Sequence, residues 1–260
     1  MSNQLTIVLS GRKQAGKSSA AKFAFCEFVN KKIGQNRFIL DKAGKNINIV
    51  DTYNNNTVIP VDYPNSVAQP IFDTYSVKVY SFADPLKRFC IDVLGLDPAQ
   101  CYGSDDDKNS LTHISWDDMS VEIREKHSRP RRGSGGMKPA SGYMTGREVM
   151  QIFGTDVCRK IDVNCWARGL YNIIKGEGYQ LALVGDARFP NEITLGTENG
   201  AKVVRLLRKV NDDQHESEIA LDDFPLGEYS LVLDNAKLTM AETHKKFKPY
   251  LDQWLDNSNL

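Results

Sequence analysis

Leu5-Thr6-Ile7-Val8-Leu9-Ser10, followed without a break by Gly11-Arg12-Lys13-Gln14-Ala15-Gly16-Lys17-Ser18, decides how the rest of the chain is read. The first segment is a short apolar run of the kind buried on both faces of a parallel sheet. The second has the spacing G-x-x-x-x-G-K-[ST], and Ser19-Ala20-Ala21-Lys22-Phe23-Ala24-Phe25 after it reads as a helix. Strand, glycine loop and helix start together are the context in which this pattern holds phosphate. Glycines at 11 and 16 let the backbone approach a phosphate with no Cβ in the way. The N–H groups at the helix start make an anion site. Lys17 adds a point charge for the β- and γ-phosphates, and the Ser18 hydroxyl is placed to ligate Mg²⁺. ATP and Mg²⁺ are therefore the expected cofactors, with Gly11, Ala15, Gly16, Lys17 and Ser18 around them.

Composition sets the wider limits. The chain has 260 residues, 41% apolar and 25% charged, which is enough for a sizeable core. Formal net charge is zero, so no global electrostatic case exists for nucleic-acid or membrane partners. The five cysteines (Cys26, Cys90, Cys101, Cys158, Cys165) are odd in number and widely spaced, unlike a disulfide framework or a zinc site. Reduced thiols, no signal-like segment and no membrane-length apolar run lead us to expect a soluble, cytoplasmic protein.

Further sheet strands are expected at Val77–Phe82, Gln180–Val184, Ala201–Leu207 and Ser230–Asn235, with helices between them. The fold class is therefore α/β, with a mostly parallel five-stranded, doubly wound sheet flanked by helices in one domain over 1–260. Two inserts interrupt it. Residues 34–76 hold short β-type runs (Arg37–Leu40, Ile47–Val50, Val58–Val61) separated by Asp41–Gly44 and Asn54–Asn56, which reads as an antiparallel hairpin without evident chemistry. Residues 103–142 are polar, with an acidic turn at Asp105–Asn109 read as solvated. The basic, glycine-rich run Arg129–Lys138 suits a mobile lid, placed over 124–138. His215 in His215–Glu218 reads as a surface residue.

Several junctions carry local signals. Asp84-Pro85 looks like an N-cap followed by proline at the first helical position, and puts Lys87 and Arg88 at the ligand edge of the sheet. Thr145 with Glu148 forms a capping box for a helix expected to stop at Gly154. Asp162 is read as the cap of the helix that carries Trp166. Asp186 directly follows a buried strand, the usual place for a carboxylate that serves as base, Mg²⁺-water ligand or hydroxyl acceptor, with Arg188 at the same edge.

Taken in order, the phosphate loop, Phe82–Lys87, Arg147–Asp156, Trp166 and Val184–Glu192 resemble the deoxynucleoside monophosphate (dNMP) kinases of tailed bacteriophages. The resemblance spans most of the chain outside 34–76. It implies a P-loop kinase fold, ATP-dependent phosphorylation of a small-molecule dNMP to dNDP for phage DNA synthesis in the host cytoplasm, and leaves a homodimer open. By position it implies phosphate-loop roles for Lys13, Gly16, Lys17, Ser18 and Ser19. It also implies that Leu86 and Lys87 line the acceptor, that Arg147, Gly154, Thr155 and Trp166 form its pocket, and that Asp186, Arg188 and Glu192 hold its sugar and phosphate end. Lys17, Asp186, Arg147 and Arg188 are the catalytic candidates. The phage T4 type has a second Arg where this chain has Glu148, and Asp where it has Ser18. Competing readings are another small-molecule P-loop kinase, such as a nucleoside, shikimate or dephospho-CoA kinase, and a regulatory or motor ATPase.

Overall fold

A computed structural model describes residues 4–51, 57–61, 68–130, 137–208 and 219–260. Strand β1 (Leu5–Ser10) and helix α1 (Lys17–Ile33) open the chain. The strands β2 (Phe38–Leu40), β3 (Ile47–Asp51) and β4 (Thr57–Val61) follow, then α2 (Ala68–Tyr75) and β5 (Val77–Tyr80). Next come α3 (Asp84–Asp92), α4 (Pro98–Tyr102), α5 (Asp105–Asn109), β6 (Leu111–Ser115), α6 (Val121–Lys126), β7 (Arg129–Pro130), β8 (Met137–Lys138), β9 (Tyr143–Thr145), α7 (Gly146–Gln151) and α8 (Cys158–Ile161). The last elements are α9 (Cys165–Glu177), β10 (Leu181–Ala187), α10 (Pro190–Glu198), β11 (Lys202–Leu206), β12 (Leu231–Leu233) and α11 (Met240–Asn257). The chain divides into two compact units, Met1–Phe82 with Ala167–Leu260, and Ala83–Trp166.

In the first unit, five strands form a wholly parallel sheet in the order β12-β11-β1-β10-β5. Side chains alternate between its faces, and both faces are apolar. Leu5, Ile7, Leu9, Leu181, Leu183, Val204 and Leu206 point to the side covered by α1 and α11, where Phe25, Phe28, Phe247 and Leu251 meet them. Val8, Ala182, Val184 and Val203 point to the other side, under Leu170, Tyr171 and Ile174 of α9 and Ile193 of α10. The result is an α/β sandwich with the five-stranded parallel sheet in the middle, in keeping with a P-loop kinase fold, as the strand pattern predicts.

The segment after α1 forms a separate antiparallel sheet, β2-β3-β4. Asn30, at the end of α1, fastens it: its Oδ1 accepts from the N–H of Arg37 (3.0 Å) and Phe38 (2.8 Å), and its Nδ2 donates to Phe38 O. The turn expected at Asn54–Asn56 lies outside the described residues.

The second unit has its own core, built on Cys90, Leu96, Trp116, Met144, Val149 and Ile152. Residues 103–142, read from sequence as a lid, lie within it. The acidic stretch Asp105–Asn109 is the short helix α5, capped by Ser104, and β6 pairs with β9. Of the basic run, the described part is the antiparallel pair of β7 and β8; residues 131–136 and His215–Glu218 lie outside the described residues.

Three junctions differ from their sequence reading. Ala83, not Asp84, is the N-cap of α3, so Asp84 is its first helical residue; it is buried and accepts from Tyr102 Oη. Gly154 does not stop a helix. The Thr145–Glu148 capping box starts α7 as expected, but the chain then continues through a π-helical turn, Ile152–Val157, into α8. Glycine is needed there for space, since a Cβ would stand 2.8 Å from Leu86 Cδ2. Asp162 does not cap α9 directly: it forms a turn in which Oδ1 accepts from Asn164 N and the carbonyl accepts from Cys165 N.

The alternation on β10 packs side chains into the core on both faces of the sheet. Leu183 is fully buried, and Leu183→Ala should lower unfolding free energy by about 2–5 kcal/mol. Urea denaturation followed by circular dichroism measures this, and a loss under about 1 kcal/mol would contradict the packing described.

Candidate functional site

The loop between β1 and α1 gets its shape from two glycines. Gly16 is the N-cap of α1 with φ +100°, a left-handed conformation that a side chain disfavours. At Gly11 a Cβ would stand 2.8 Å from Leu206 O. Neighbouring segments hold the loop in place. Buried Asn235 donates from Nδ2 to Ala15 O (2.9 Å) and accepts Arg208 N–H on Oδ1 (2.9 Å). Arg12 pairs with Asp222, its Nε donating to Oδ1 at 3.1 Å. Lys17 is buried, and its ammonium donates to Gly11 O (2.5 Å) and Arg12 O (2.8 Å).

A cavity of about 830 Å³ opens over this loop, within the size range of small-molecule sites. Lys13, Ala15, Gly16, Lys17, Ser18 and Ser19 line it, as do Asp186 and Arg188. The structure thus brings six of the expected phosphate-loop residues, all but Gly11, and the expected strand-end carboxylate to one cavity. Asp186 reaches it through a register shift. Val8 is opposite Val184 and Ser10 is opposite Ala187, so β10 carries one extra residue at Gly185–Asp186. Such a bulge re-aims a side chain. Gly185 lies against Ser18 Cα and Ala21.

The Asp186 carboxylate accepts from Ser81 Oγ (2.6 Å) and Phe82 N–H (3.1 Å). Desolvation pushes its pKa above the ordinary carboxylate value, and it outweighs these two hydrogen bonds and the attraction of Arg188 and Lys17. Glu192 is buried at the start of α10, where its Oε2 accepts from the N–H of Arg188 (2.7 Å) and Phe189 (3.1 Å). It holds the backbone that carries Arg188.

The remaining candidates belong to the second unit. Leu86 touches Gly154, and Trp166 Nε1 donates to Gly154 O at 2.8 Å, so these three meet around the π-helical turn. Thr155 in the same turn is exposed. The Lys87 ammonium lies 4.3 Å from the centre of the Tyr102 ring. Arg147 is half-exposed and held by Asp105 (2.6 Å) and Asn109 (3.0 Å). Glu148, which stands where a second arginine is expected from the resemblance, pairs with Arg129 while capping α7.

Sequence reasoning missed half of the cavity wall. Lys22, Lys42, Lys45, Arg208, Asn235 and His244 also line it. Lys22 has a readable signal, since it lies one helical turn beyond Ser18 on α1. The others come from distant segments with no motif. Burial lowers the His244 pKa to about 4, so this imidazole is neutral near pH 7. It stacks on Phe23 at 4.5 Å and is hydrogen-bonded through Nε2 to Ser19 Oγ at 3.1 Å.

No protein-family model matches the chain. It is similar to a protein of Acanthamoeba polyphaga mimivirus named "Putative deoxynucleotide monophosphate kinase", with 27% identity over 194 residues, covering 69% of this chain and 83% of that protein. Among the described residues no helix is long and apolar enough to cross a membrane, and no three His, Cys, Asp or Glu side chains cluster as metal ligands.

The raised pKa of Asp186 has a testable consequence. Between its ordinary and its raised pKa the folded chain holds more protons than the unfolded one, so this group's contribution to stability declines as pH rises through that window. Asp186→Asn removes the titration and keeps polar partners for Ser81 and Phe82 N–H. Melting temperatures across about pH 4 to 8 should show the variant gaining on the wild type as pH rises. A variant that falls behind with rising pH would contradict the desolvated carboxylate.

Proposed function

We propose that this protein is a deoxynucleoside monophosphate kinase, transferring the γ-phosphoryl group of ATP to a dNMP and supplying dNDP for DNA synthesis. The observation that carries the proposal is one cavity lined by Lys13–Ser19 of the glycine loop and helix start together with the desolvated carboxylate of Asp186. The similarity to a viral protein with that printed name supports the same reading.

The residues fit the groups they would hold. Gly16 takes the left-handed turn at the start of α1, where loop N–H groups would meet a polyphosphate, and Lys17 and Lys13 would supply charge. Ser18 and Asp186 offer the oxygen donors that a hard cation prefers, and Mg²⁺ held there would neutralise phosphate charge. In the reaction an oxygen of the dNMP phosphate forms a bond to the γ-phosphorus. The bond from that phosphorus to the β,γ-bridging oxygen breaks, and ADP leaves. Positioning and charge neutralisation supply most of the rate in such transfers. Arg188 is assigned to phosphate charge in the cavity and Glu192 to placing Arg188. Leu86, Lys87, Gly154, Thr155 and Trp166 are assigned to recognition of the acceptor. Arg147 is assigned to the acceptor phosphate, an assignment that requires it to exchange Asp105 for the ligand.

A coupled ADP-release assay with MgATP, run against dGMP, dTMP, dCMP, dAMP and the matching ribonucleotides, tests the proposal. Release that depends on a deoxynucleotide supports it. Acceptor-independent release would favour an ATPase, and release with none of these acceptors in protein that binds ATP would overturn it. Lys17→Ala should keep the wild-type circular dichroism spectrum and lower dNMP-dependent turnover by about 10²–10³-fold. Near-wild-type turnover from the folded variant would remove Lys17 from the mechanism.

A further inference from the structure

The antiparallel segment after α1, which has no readable motif, reaches the phosphate cavity through its first turn. Asp41 builds the turn between β2 and β3: its Oδ1 accepts from Lys45 N–H (2.7 Å), its Oδ2 from Asn46 Nδ2 (2.8 Å), and its carbonyl from Gly44 N–H (2.9 Å). These bonds hold the Asp41 carboxyl below the usual carboxylate range, the bond from Lys45 N–H contributing most. Gly44 is buried, at φ +63°. A Cβ there would overlap Met240 Sδ and stand 2.5 Å from Ser19 Oγ. The turn is therefore seated against the first turn of α1, immediately after the Lys17-Ser18 pair, and Lys22 Nζ donates to Lys45 O.

This seating puts Lys42 and Lys45 on the cavity wall. Both side chains are exposed, and no ion pair among the described residues neutralises either of them. Among the described residues the cavity lining then holds seven basic side chains (Lys13, Lys17, Lys22, Lys42, Lys45, Arg188, Arg208) against one carboxylate, Asp186. In a chain of zero formal net charge, this is a concentrated anion site.

We propose that the β2–β3 turn is a phosphate-binding wall of the nucleotide cavity, with Lys42 and Lys45 contacting the polyphosphate beside the glycine loop. The inference rests on the reading of that cavity as an ATP site and assigns a role to a segment outside the sheet. The chemistry selects a polyanion of three phosphates over a monophosphate, because point charges on flexible stems gain with each added negative charge.

Isothermal titration calorimetry with MgATP, inorganic tripolyphosphate and AMP tests this on the full chain. The comparison is wild type against the double variants Lys42→Ala/Lys45→Ala and Lys42→Arg/Lys45→Arg. Because both lysines are exposed, the melting temperature should be unchanged, and it is measured alongside. The alanine pair should bind MgATP and tripolyphosphate about tenfold more weakly, with a shallower salt dependence, AMP affinity within about twofold of wild type, and recovery in the arginine pair. Equal affinity of the wild type and the alanine pair for both polyphosphates would overturn the role of the turn while leaving the glycine-loop site standing. Failure of the wild type to bind either polyphosphate would overturn both.

Discussion

Every residue of β1 is buried, and the strand is hydrogen-bonded on both sides, to β10 and to β11. A strand so enclosed has no freedom of register, because a one-residue slip would exchange the side chains of both packed faces. The point at which the chain leaves β1 is therefore fixed, and with it the position of Gly11, Gly16 and Lys17. The bulge in β10 depends on the same register: with Val8 opposite Val184 and Ser10 opposite Ala187, the extra residue falls at Gly185–Asp186. Loop and carboxylate reach one cavity because both are indexed to the same central strand.

The electrostatics follow from that placement. A cluster of lysines and arginines around a backbone loop is costly to hold together unless solvent or an anion compensates it. Among the described residues Asp186 is the single carboxylate of the lining, and burial opposes its ionisation. A cation or a proton would relieve that opposition. Such a tension between desolvation and neighbouring charge is common where residues serve chemistry rather than stability. His244 differs: held neutral and stacked on Phe23, it adds a polar contact to Ser19 without adding charge.

Much of this was legible in the residues. The glycine loop, the five strands, Asp186 at a strand end and the Thr145–Glu148 capping box are local patterns, and local patterns are carried by adjacent residues. What could not be read depends on distant contacts. Gly154 resembles a helix stop, yet its missing Cβ makes room for Leu86, 68 positions away by their residue numbers, and the chain passes through a π-helical turn instead. Asp84 has a capping residue's identity, but Ala83 takes that position and Asp84 turns to Tyr102. Residues 103–142 are polar enough to read as a lid, though Trp116 and Met144 within or beside them are fully buried in a core of their own. Lys42 and Lys45 are ordinary turn lysines in the sequence, and only the contact of Gly44 with Ser19 and Met240 brings them to the cavity.

The most direct test of the central claim follows the label from γ-³²P-ATP with Mg²⁺ and a single dNMP, with products separated by thin-layer chromatography. Phosphoryl transfer in the cavity requires the label to appear in the dNDP, in step with formation of ADP. Label that appears only as inorganic phosphate, at the same rate with and without the dNMP, would contradict it.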